Sequence, residues 1–592
     1  MLKTVNTPVG PVSLHIQSDE WKCELRNSNP LPGLTLVSME LQRDTPAALP
    51  PATLSWLVPA IDIQYRWHPF AGTTGCWLPP DWNQSLLHSE LAIGAPVVSL
   101  CSHRGANRMT FAFSDALNPI DIRCGIRETD GWLLNELHCF DMPGAPVDSY
   151  FATLRIDTRS TVSGATAVAD VASWWAAMPE YRPCPVPDAA RMPFYSSWYS
   201  FHQDLFDHEL EEECRLAREY GMEGIIVDDG WQTADNNRGY AFCGDWEICL
   251  KRFPRMREHV DRVHALGMKY MLWYSLAWAG YESEAYRRFS GKFLYRNDRL
   301  RAAALDPRFP EVREYLLNIY ERALVEWNLD GFKFDFIDSF RFDGEDPAVA
   351  EEYAGRDYKL LSRAVDRLLT DAMTRLRAIR PEILIEFRQR YIGPAMRKYG
   401  NIFRVGDCPG DVIANRTGVI NLRRLSGNTA VHSDMLMWNY KEPVEAAALQ
   451  LLNVLFAVPQ ISVRLREIPE SHRRMLKFYL DFWREFRDVL LDGELHARQP
   501  EFNDPVVSAA KENRRVSVLY AAHSALHLAP QDGGTECIVN ASGSVGFVLD
   551  LDREPVESSC FDAQGNPIRL DAIHAGLNRV SLPPAGMIRL SF

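Results

Sequence analysis

The residues that could do chemistry in this 592-residue sequence cluster where short apolar runs end in carboxylates. In the run GFKFDFID (331–338), alternation places Lys333 and Asp335 on one face of a strand and the phenylalanines on the other. A carboxylate beside a lysine inside a protein stays ionised, as a nucleophile requires. A buried ion pair that only stabilises the fold is the alternative, and the run alone leaves both interpretations open.

A second run, GIIVDDGW (224–231), ends in Asp228, Asp229 and Trp231. Adjacent side chains of a strand point to opposite faces, so these two carboxylates do not share a proton. They suit hydrogen bonds to several hydroxyl groups of one ligand. A divalent metal site is the alternative, since Asp228, Asp229 and Asp335 could supply its oxygen ligands.

A third run, FRVGDCPGD (403–411), contains Asp407 and Asp411. If these runs are strands of one barrel, Asp407 lies across it from Asp335, and the two carboxylates could flank one bond. Asp411 equally fits the N-cap of a following helix. The isolated His202 and His432 suit either a ligand contact or a hydrogen bond in the core.

The elements that would position these residues alternate between short apolar runs and amphipathic helices from about residue 192 onward. Helical periodicity is clear in 208–222, 253–268 and 310–329, and glycines near the ends of the first two fit C-caps. Eight candidate strands predict a (β/α)8 TIM barrel, which carries its chemistry at the carboxyl ends of the strands. The predicted strands are 194–201, 224–231, 269–276, 331–338, 383–390, 402–407, 429–438 and 460–465.

The barrel is predicted to be the central one of three domains, at residues 192–494. Residues 1–185 contain short alternating runs between Pro, Gly and Asn turns, which predicts an N-terminal β-sandwich domain. The Pro-rich stretch 181–193 predicts a linker. Residues 495–592 lose the helical pattern and predict a small C-terminal antiparallel β-sandwich. No glycine-rich phosphate-binding motif follows a strand, so nucleotide binding has no support.

The composition is that of an ordinary globular protein, with 46% hydrophobic and 24% charged residues and a formal net charge of -14. This charge disfavours nucleic acid and anionic membranes as partners. The sequence shows no apolar signal region and no long uncharged apolar stretch. Its 12 cysteines form no CxxC pair and no zinc-ligand cluster. We therefore expect a cytoplasmic protein with reduced thiols, no metal and no membrane partner.

Six stretches, taken in order, resemble melibiase-type α-galactosidases, the glycoside hydrolases of family 36 in clan D. They are SSWYSF, IIVDDGW, GDWEICLKRFP, MKYMLWYSLAW, KFDFID and GDCPGD, which together span roughly residues 192–440. The succession of β-sandwich, barrel and β-sandwich is also similar to that family. The resemblance implies an enzyme that cleaves a terminal α-linked sugar from a glycoside or oligosaccharide with retention of configuration and without a cofactor. It leaves a homo-oligomeric state open.

The resemblance also implies roles for matching residues. Asp335 matches the family's nucleophile and Asp407 its general acid/base. Asp228, Asp229 and Lys333 match residues that bind the sugar of the −1 subsite. The remaining residues predicted to bind substrate from their positions at strand ends are Trp198, His202, Trp231, Trp273, Arg388, Arg390, Arg404 and Asp411. An acid/base must be protonated before the first step, so we expect the pKa of Asp407 to be raised.

The sequence departs from the family at several motif positions, which puts galactose specificity in question. Phe334, Gly406 and Gly410 replace a Trp, a Ser and a Thr, and EFRQRYIGP (386–394) replaces a Cys- and Gly-rich motif.

Strand ends rich in arginine predict an anionic substrate group, because a guanidinium binds a carboxylate or sulfonate through two hydrogen bonds. Arg388, Arg390, Arg404 and Arg464 supply this group of cations. The alternative is that the arginines only neutralise Glu386, Asp434 and the two predicted catalytic aspartates.

Three rival functions remain open on the sequence alone. The first is a transglycosylase of the raffinose-synthase kind, which would use the same two aspartates. The second is a metal-dependent barrel lyase or isomerase with Asp228, Asp229 and Asp335 as ligands. The third is a sugar-binding protein without catalysis.

Overall fold

A computed structural model describes residues 1–69, 76–83, 86–142, 144–497 and 499–592 of the chain. Two antiparallel six-stranded sheets form the N-terminal part, with strand orders β1-β2-β5-β11-β10-β7 and β3-β4-β12-β9-β8-β6. Their strands are β1 Leu2–Thr7, β2 Gly10–Ile16, β3 Lys22–Leu31, β4 Leu34–Ala47, β5 Ala52–Pro59, β6 Tyr65–Trp67, β7 Leu87–Ser89, β8 Val97–Cys101, β9 Asn107–Phe113, β10 Ile120–Ile126, β11 Trp132–Cys139 and β12 Val147–Asp157.

Alternating side chains build the core between these two sheets. In β2, Val12, Leu14 and Ile16 are buried while their neighbours face outward. They join one hydrophobic cluster with Val37 of β4 and Phe111 of β9. The predicted N-terminal β-sandwich is therefore confirmed.

Eight parallel strands form the central barrel, and each lies within one of the eight predicted runs. The parallel bridges His432–Val458 and Leu436–Ile461 connect the seventh strand region to the eighth. The barrel strands are β13 Phe194–Ser196, β14 Gly224–Val227, β15 Lys269–Ser275, β19 Gly331–Asp335, β20 Leu384–Arg388, β21 Ile402–Arg404, β22 Ala430–His432 and β23 Gln460–Ile461. A small antiparallel sheet follows β15 and contains β16 Trp278–Gly280, β17 Phe293–Asn297 and β18 Ala302–Leu305.

Helices alternate with the barrel strands, as the periodicity predicts. Gly221 follows helix α3 (Asp207–Glu219) and Gly267 follows helix α4 (Met256–Ala265), with positive φ values of 79° and 77°, the conformation that a glycine C-cap adopts. The helices are α1 Gly164–Ala176, α2 Trp198–Phe201, α3 Asp207–Glu219, α4 Met256–Ala265, α5 Glu284–Arg288, α6 Pro310–Glu326, α7 Pro347–Ala350, α8 Leu361–Ile379, α9 Met396–Tyr399, α10 Val412–Ser426, α11 Val444–Leu452, α12 Glu470–Glu485 and α13 Arg487–Asp492.

The C-terminal part packs a six-stranded sheet against a three-stranded sheet, with strand orders β24-β25-β26-β28-β32-β30 and β27-β29-β31. The strands are β24 Glu494–Ala497, β25 Val506–Lys511, β26 Arg514–Leu519, β27 Ala525–Leu528, β28 Thr535–Asn540, β29 Phe547–Leu551, β30 Glu557–Phe561, β31 Gly576–Val580 and β32 Met587–Ser591. Most pairs are antiparallel, as predicted, but β26–β28 and β27–β29 run parallel. In the part of the chain that the structure describes, no helix has both the length and the apolar character needed to cross a membrane.

Close packing of neighbouring barrel strands leads to a test of the fold. Gly331 begins β19, and a Cβ at this position would lie 2.1 Å from the carbonyl oxygen of Leu384. Because backbone cannot rotate away as a side chain can, Gly331→Ala must push the strands apart. We expect it to lower stability by about 2 kcal/mol or more, measured as a lower thermal denaturation midpoint.

Gly543→Ala is the matched control, since its added Cβ would meet no atom within 4 Å. Equal midpoints for the two variants would contradict the strand spacing described for the barrel.

Candidate active site

The carboxylate of Asp335 lies at the carboxyl end of β19 and is held almost entirely by N–H and O–H donors. Its Oδ1 accepts hydrogen bonds from the backbone N of Phe336 (2.7 Å) and from Nε of Arg388 (2.6 Å). The hydroxyl of Tyr391 lies 3.2 Å from the same oxygen. Its Oδ2 accepts one hydrogen bond, from Nε1 of Trp273 at 3.1 Å. The two oxygens therefore differ, since Oδ1 is crowded with donors and Oδ2 has one.

Electrostatics keep Asp335 ionised although it is buried. Burial raises its pKa, but the charges of Arg388 and Lys333 outweigh burial and hold the pKa far below the ordinary value. The side chain of Arg388 also packs over the rings of Phe336 and Tyr391, at 5.6 and 5.1 Å from their centroids. These contacts fix the guanidinium beside the carboxylate.

Lys333, two residues before Asp335 on the same face of β19, forms a buried ion pair with Asp228. The backbone N of Asp229 donates to the other oxygen of Asp228 at 2.9 Å. Both Lys333 and Asp228 are less than 5% exposed. Lys333 therefore pairs with Asp228 and not with Asp335, whose cationic partner is Arg388.

Asp229 points away from Asp228 and is bound by two amides. Nε2 of Gln203 donates to its Oδ2 at 2.7 Å, and Nε2 of Gln232 donates to its Oδ1 at 2.6 Å. Neither partner carries a charge, so burial dominates and raises the pKa of Asp229 from 3.8 to about 7. The two neighbouring aspartates therefore have different partners, as alternation predicts.

Asp407 follows β21 and forms an ion pair with Arg404, Nη2 to Oδ1 at 2.9 Å. Its side chain is 53% exposed, whereas that of Arg404 is 1% exposed. Burial raises the pKa of Asp407, but the charges of Arg404 and Lys333 outweigh it, so the pKa lies below the ordinary value. The expectation of a raised pKa is therefore wrong for the free protein, because Arg404 compensates the carboxylate.

Aromatic side chains surround Asp335 on the side of β15. Tyr240 stacks on Trp273 with ring centroids 6.0 Å apart, and its ring contacts Phe336 edge to face at 4.9 Å. Phe336 has a positive φ of 60°, so it leaves the alternation of β19 and turns toward these rings. Faces of aromatic rings are suited to the C–H faces of a pyranose.

Trp198 and His202 lie together after β13. Their rings pack edge to face at 4.8 Å, and Nη2 of Arg238 lies 2.6 Å from Nε2 of His202. Burial and the charge of Arg238 lower the pKa of His202. His432 instead lies in the core, where Nε2 donates to the carbonyl of Ala190 at 2.7 Å and burial lowers its pKa to about 4.

Three residues predicted to bind substrate lie outside this group of contacts. Trp231 is fully buried behind Trp273 and donates to its carbonyl oxygen at 2.9 Å. Asp411 is exposed and caps α10 by accepting from the backbone N of Ile413 and of Ala414. Alternation predicts that Arg390 shares a face with Arg388. However, β20 ends at Arg388, so the alternation does not extend to Arg390, whose side chain is exposed.

Other members of the site were not predicted from sequence. Tyr391, Tyr240, Gln203 and Gln232 contact Asp335, Trp273 or Asp229, yet each lies in a loop after a strand. No periodicity marks such loop residues. Asp434 was predicted only as one of the carboxylates that the strand-end arginines neutralise, and it accepts from Nη1 of Arg404 at 2.6 Å.

Within the described ranges, no group of three or more His, Cys, Asp or Glu side chains is arranged to hold a metal ion. The oxygens of Asp228, Asp229 and Asp335 are instead engaged by lysine, arginine, indole and amide donors. A cation at these residues would have to displace such donors.

A parallel barrel between two β-sandwiches, with compensated carboxylates at the carboxyl ends of its strands, defines the class as a multidomain barrel protein. The Melibiase family model matches residues 188–376, which include β13 to β19 and Asp335. The matched residues make up about a third of the chain and carry its similarity to the Melibiase family.

Two curated relatives are similar over about a quarter of this chain. Alpha-galactosidase Mel36A of Lactobacillus acidophilus is 28% identical over 155 residues, 25% of this chain and 20% of that protein. Alpha-galactosidase AgaA of Geobacillus stearothermophilus is 24% identical over 156 residues, 25% of this chain and 21% of that protein. The aligned segments thus span about a fifth of each relative.

Solved structures share the fold over nearly the whole chain. The galactosidase domain of the α-galactosidase–sucrose kinase AgaSK superposes with a TM-score of 0.64 at 12% identity, covering 98% of this chain and 82% of that one. A variant of AgaA in complex with 1-deoxygalactonojirimycin gives 0.64 at 15% identity, covering 98% and 83%.

The raised pKa of Asp229 predicts how stability changes with pH. The folded protein keeps a proton on Asp229 that the unfolded chain releases above 3.8, so this residue destabilises the fold progressively as pH rises from about 4 to 7. Asp229→Asn cannot titrate. We expect the midpoint of the wild type, relative to this variant, to fall by several degrees over that range.

The measurement is thermal denaturation of both proteins at pH values from about 4 to 8. A midpoint difference that stays constant with pH would contradict the raised pKa.

Proposed function

We propose that this protein is a retaining α-glycosidase that removes a terminal, neutral, α-linked galactose-type sugar from a glycoside or oligosaccharide. The observation that carries the proposal is the asymmetric binding of Asp335. Several donors hold Oδ1, whereas Oδ2 accepts only from Trp273 among the residues that the structure describes. A carboxylate so held is ionised, oriented and left with one oxygen able to form a new bond.

In the first step, Oδ2 of Asp335 attacks the anomeric carbon and the bond to the leaving oxygen breaks. Asp407 gives its proton to that oxygen, so the leaving group departs neutral and a glycosyl ester forms. In the second step, Asp407 takes a proton from water, the water oxygen attacks the anomeric carbon, and the ester bond breaks. Each step inverts the configuration of the anomeric carbon, so the product retains the configuration of the substrate.

The remaining residues would bind the sugar. Lys333 and Asp228 lie beside Asp335 on the barrel interior and suit hydroxyl groups of the ring, as a donor and an acceptor. Trp273 offers an aromatic surface next to the attacking oxygen. Asp229 acts through its neighbours, because both of its oxygens are already bound to glutamines.

Proton donation by Asp407 has to overcome its lowered pKa in the free protein. The carboxylate is half-exposed, so a sugar covering it would remove water and raise its pKa toward the protonated form. We therefore propose that Asp407 becomes an effective acid only with substrate bound or at acidic pH.

A neutral sugar fits the charges of the site better than the anionic sugar that the arginines suggested. Arg404 contacts Glu386, Asp407 and Asp434, and Nε of Arg388 binds Asp335. A substrate carboxylate would compete with these acidic groups for the same cations. Variants of AgaA have been crystallised with raffinose and stachyose, and we propose oligosaccharides of that kind as substrates.

A panel of nitrophenyl α-glycosides tests this function. We expect turnover of the α-galactoside, with the α-anomer as first product by NMR, and at least about tenfold lower kcat/KM for the α-galacturonide. Efficient turnover of the uronide alone would restore the anionic-sugar hypothesis. Transfer to an excess of acceptor sugar in place of hydrolysis would favour the transglycosylase.

Asp407→Ala tests the second aspartate. Nitrophenyl glycosides need little protonation of the leaving group, so they should still form the glycosyl ester, which then accumulates because no base activates water. A substrate with a poor leaving group, such as an alkyl α-galactoside, should lose roughly 100-fold or more in kcat/KM. Equal losses for both kinds of substrate would show that Asp407 does not donate the proton.

A further inference from the structure

One guanidinium connects three carboxylates that come from three successive strand regions of the barrel. Arg404 is the last residue of β21 and is 1% exposed. Its Nη1 lies 2.6 Å from Oδ1 of Asp434, its Nη2 lies 2.9 Å from Oδ1 of Asp407, and its Nε lies 3.5 Å from Oε1 of Glu386. Glu386 and Asp434 are fully buried, so Asp407 is the only one of the three that solvent or a substrate can reach.

Asp434 also binds the loop after β21, which carries Asp407. Its Oδ2 accepts from the backbone N of Cys408 at 2.7 Å and from the hydroxyl of Tyr199 at 2.8 Å. The backbone N of Asp434 itself donates to Oδ1 of Asn415 at 2.9 Å. The side chain of Asp407 is thus held by Arg404, and the peptide that follows it is held by the carboxylate that also binds Arg404.

We propose that Arg404 is a positioning residue that holds the Asp407 carboxylate at the carboxyl-end face of the barrel, so that proton donation by Asp407 depends on this guanidinium. The inference rests on the proposed retaining mechanism and adds a residue to it. Arg404 does not contact the reacting atoms, since its own partners surround it. It acts through Asp407, both by fixing its geometry and by favouring its ionised form.

Several other charged or titratable groups act electrostatically on Asp407, and Arg404 must be separated from them. They are Lys333 and Asp335 from β19, Arg388 from β20, Tyr199 from the segment after β13, and Asp434 from the segment after β22. Lys333 and Arg388 have Asp228 and Asp335 as their direct partners. Among the cations of the described residues, Arg404 alone pairs directly with Asp407.

The test is the pH profile of kcat/KM for an alkyl α-galactoside, whose alkaline limb reports deprotonation of the acid in the free protein. Removing a cation beside a carboxylate raises its pKa. Arg404→Gln should therefore move that limb to higher pH by about one unit or more, while the maximum falls roughly 10–100-fold through lost positioning. Arg404→Lys retains a charge and should show a smaller movement in the same direction.

A merely structural arginine would give a different result. Its loss would lower kcat/KM by the same factor at every pH, and an unmoved limb in both variants would overturn the inference. If Arg404→Gln fails to fold, as judged by its thermal midpoint, the position of the alkaline limb in Arg404→Lys tests the inference. Arg416→Lys is the matched control, because Arg416 is also buried but bonds to Asn453 and the carbonyl of Asn503, and its limb should not move.

A stability measurement, which needs no substrate, tests the pairing even if the proposed substrate is wrong. A double-mutant cycle of Arg404→Gln with Asp407→Asn on the thermal midpoint should show coupling, and additive effects would overturn the direct pairing. If Asp407→Ala loses equal activity on good and poor leaving groups while this coupling is found, the proposed function fails and the pairing stands. If Asp407→Ala behaves as an acid/base variant but neither Arg404 variant moves the limb, only the inference fails.

Discussion

Buried carboxylates at the carboxyl ends of the barrel strands must be compensated, because an ionised group without a partner costs several kcal/mol in a low-dielectric interior. Each carboxylate here has a different set of partners. Asp228 takes Lys333, Asp335 takes Arg388 together with an indole and a backbone N–H, and Asp229 takes two neutral glutamines. The cationic partners keep Asp335 ionised, whereas the neutral ones allow the pKa of Asp229 to rise to about 7. The ionised state of Asp335 that the proposed chemistry needs thus follows from its cationic partners.

The same constraint explains why the arginines of the strand ends do not require an anionic substrate. Arg404 is shared by Glu386, Asp407 and Asp434, so its charge is already balanced within the barrel. A chain that places glutamate and arginine on strands β20 and β21 must pair them internally, since neither can reach solvent. Of the carboxylates around Arg404, only the half-exposed Asp407 can therefore be covered by a bound sugar.

Much of the fold was predictable because buried parallel strands are continuous apolar runs that amphipathic helices separate, and all eight barrel strands lie within the predicted runs. Their ends were predicted too far along the chain. The run 194–201 contains a strand only to Ser196, since Trp198 begins the short helix α2. Aromatic residues of such loops line the site and resemble strand residues in sequence. Lys333 and Asp335 were placed on one face by alternation, whereas Tyr391 and Tyr240 depend on loop paths that only tertiary packing determines.

The central claim is that Asp335 forms a covalent bond to the sugar, and trapping of that intermediate tests it most directly. A 5-fluoro-α-galactosyl fluoride has a good leaving group, and its second fluorine slows hydrolysis of the ester, so the labelled protein should accumulate. Peptide mass spectrometry of the digested protein should place one fluorosugar on Asp335, whose Oδ2 has a single hydrogen-bond partner among the described residues. A label on Asp407, or on Asp338, whose carboxylate lies 2.9 Å from the same Tyr391 hydroxyl, would contradict the account. Inactivation of catalysis without any covalent sugar would contradict it as well.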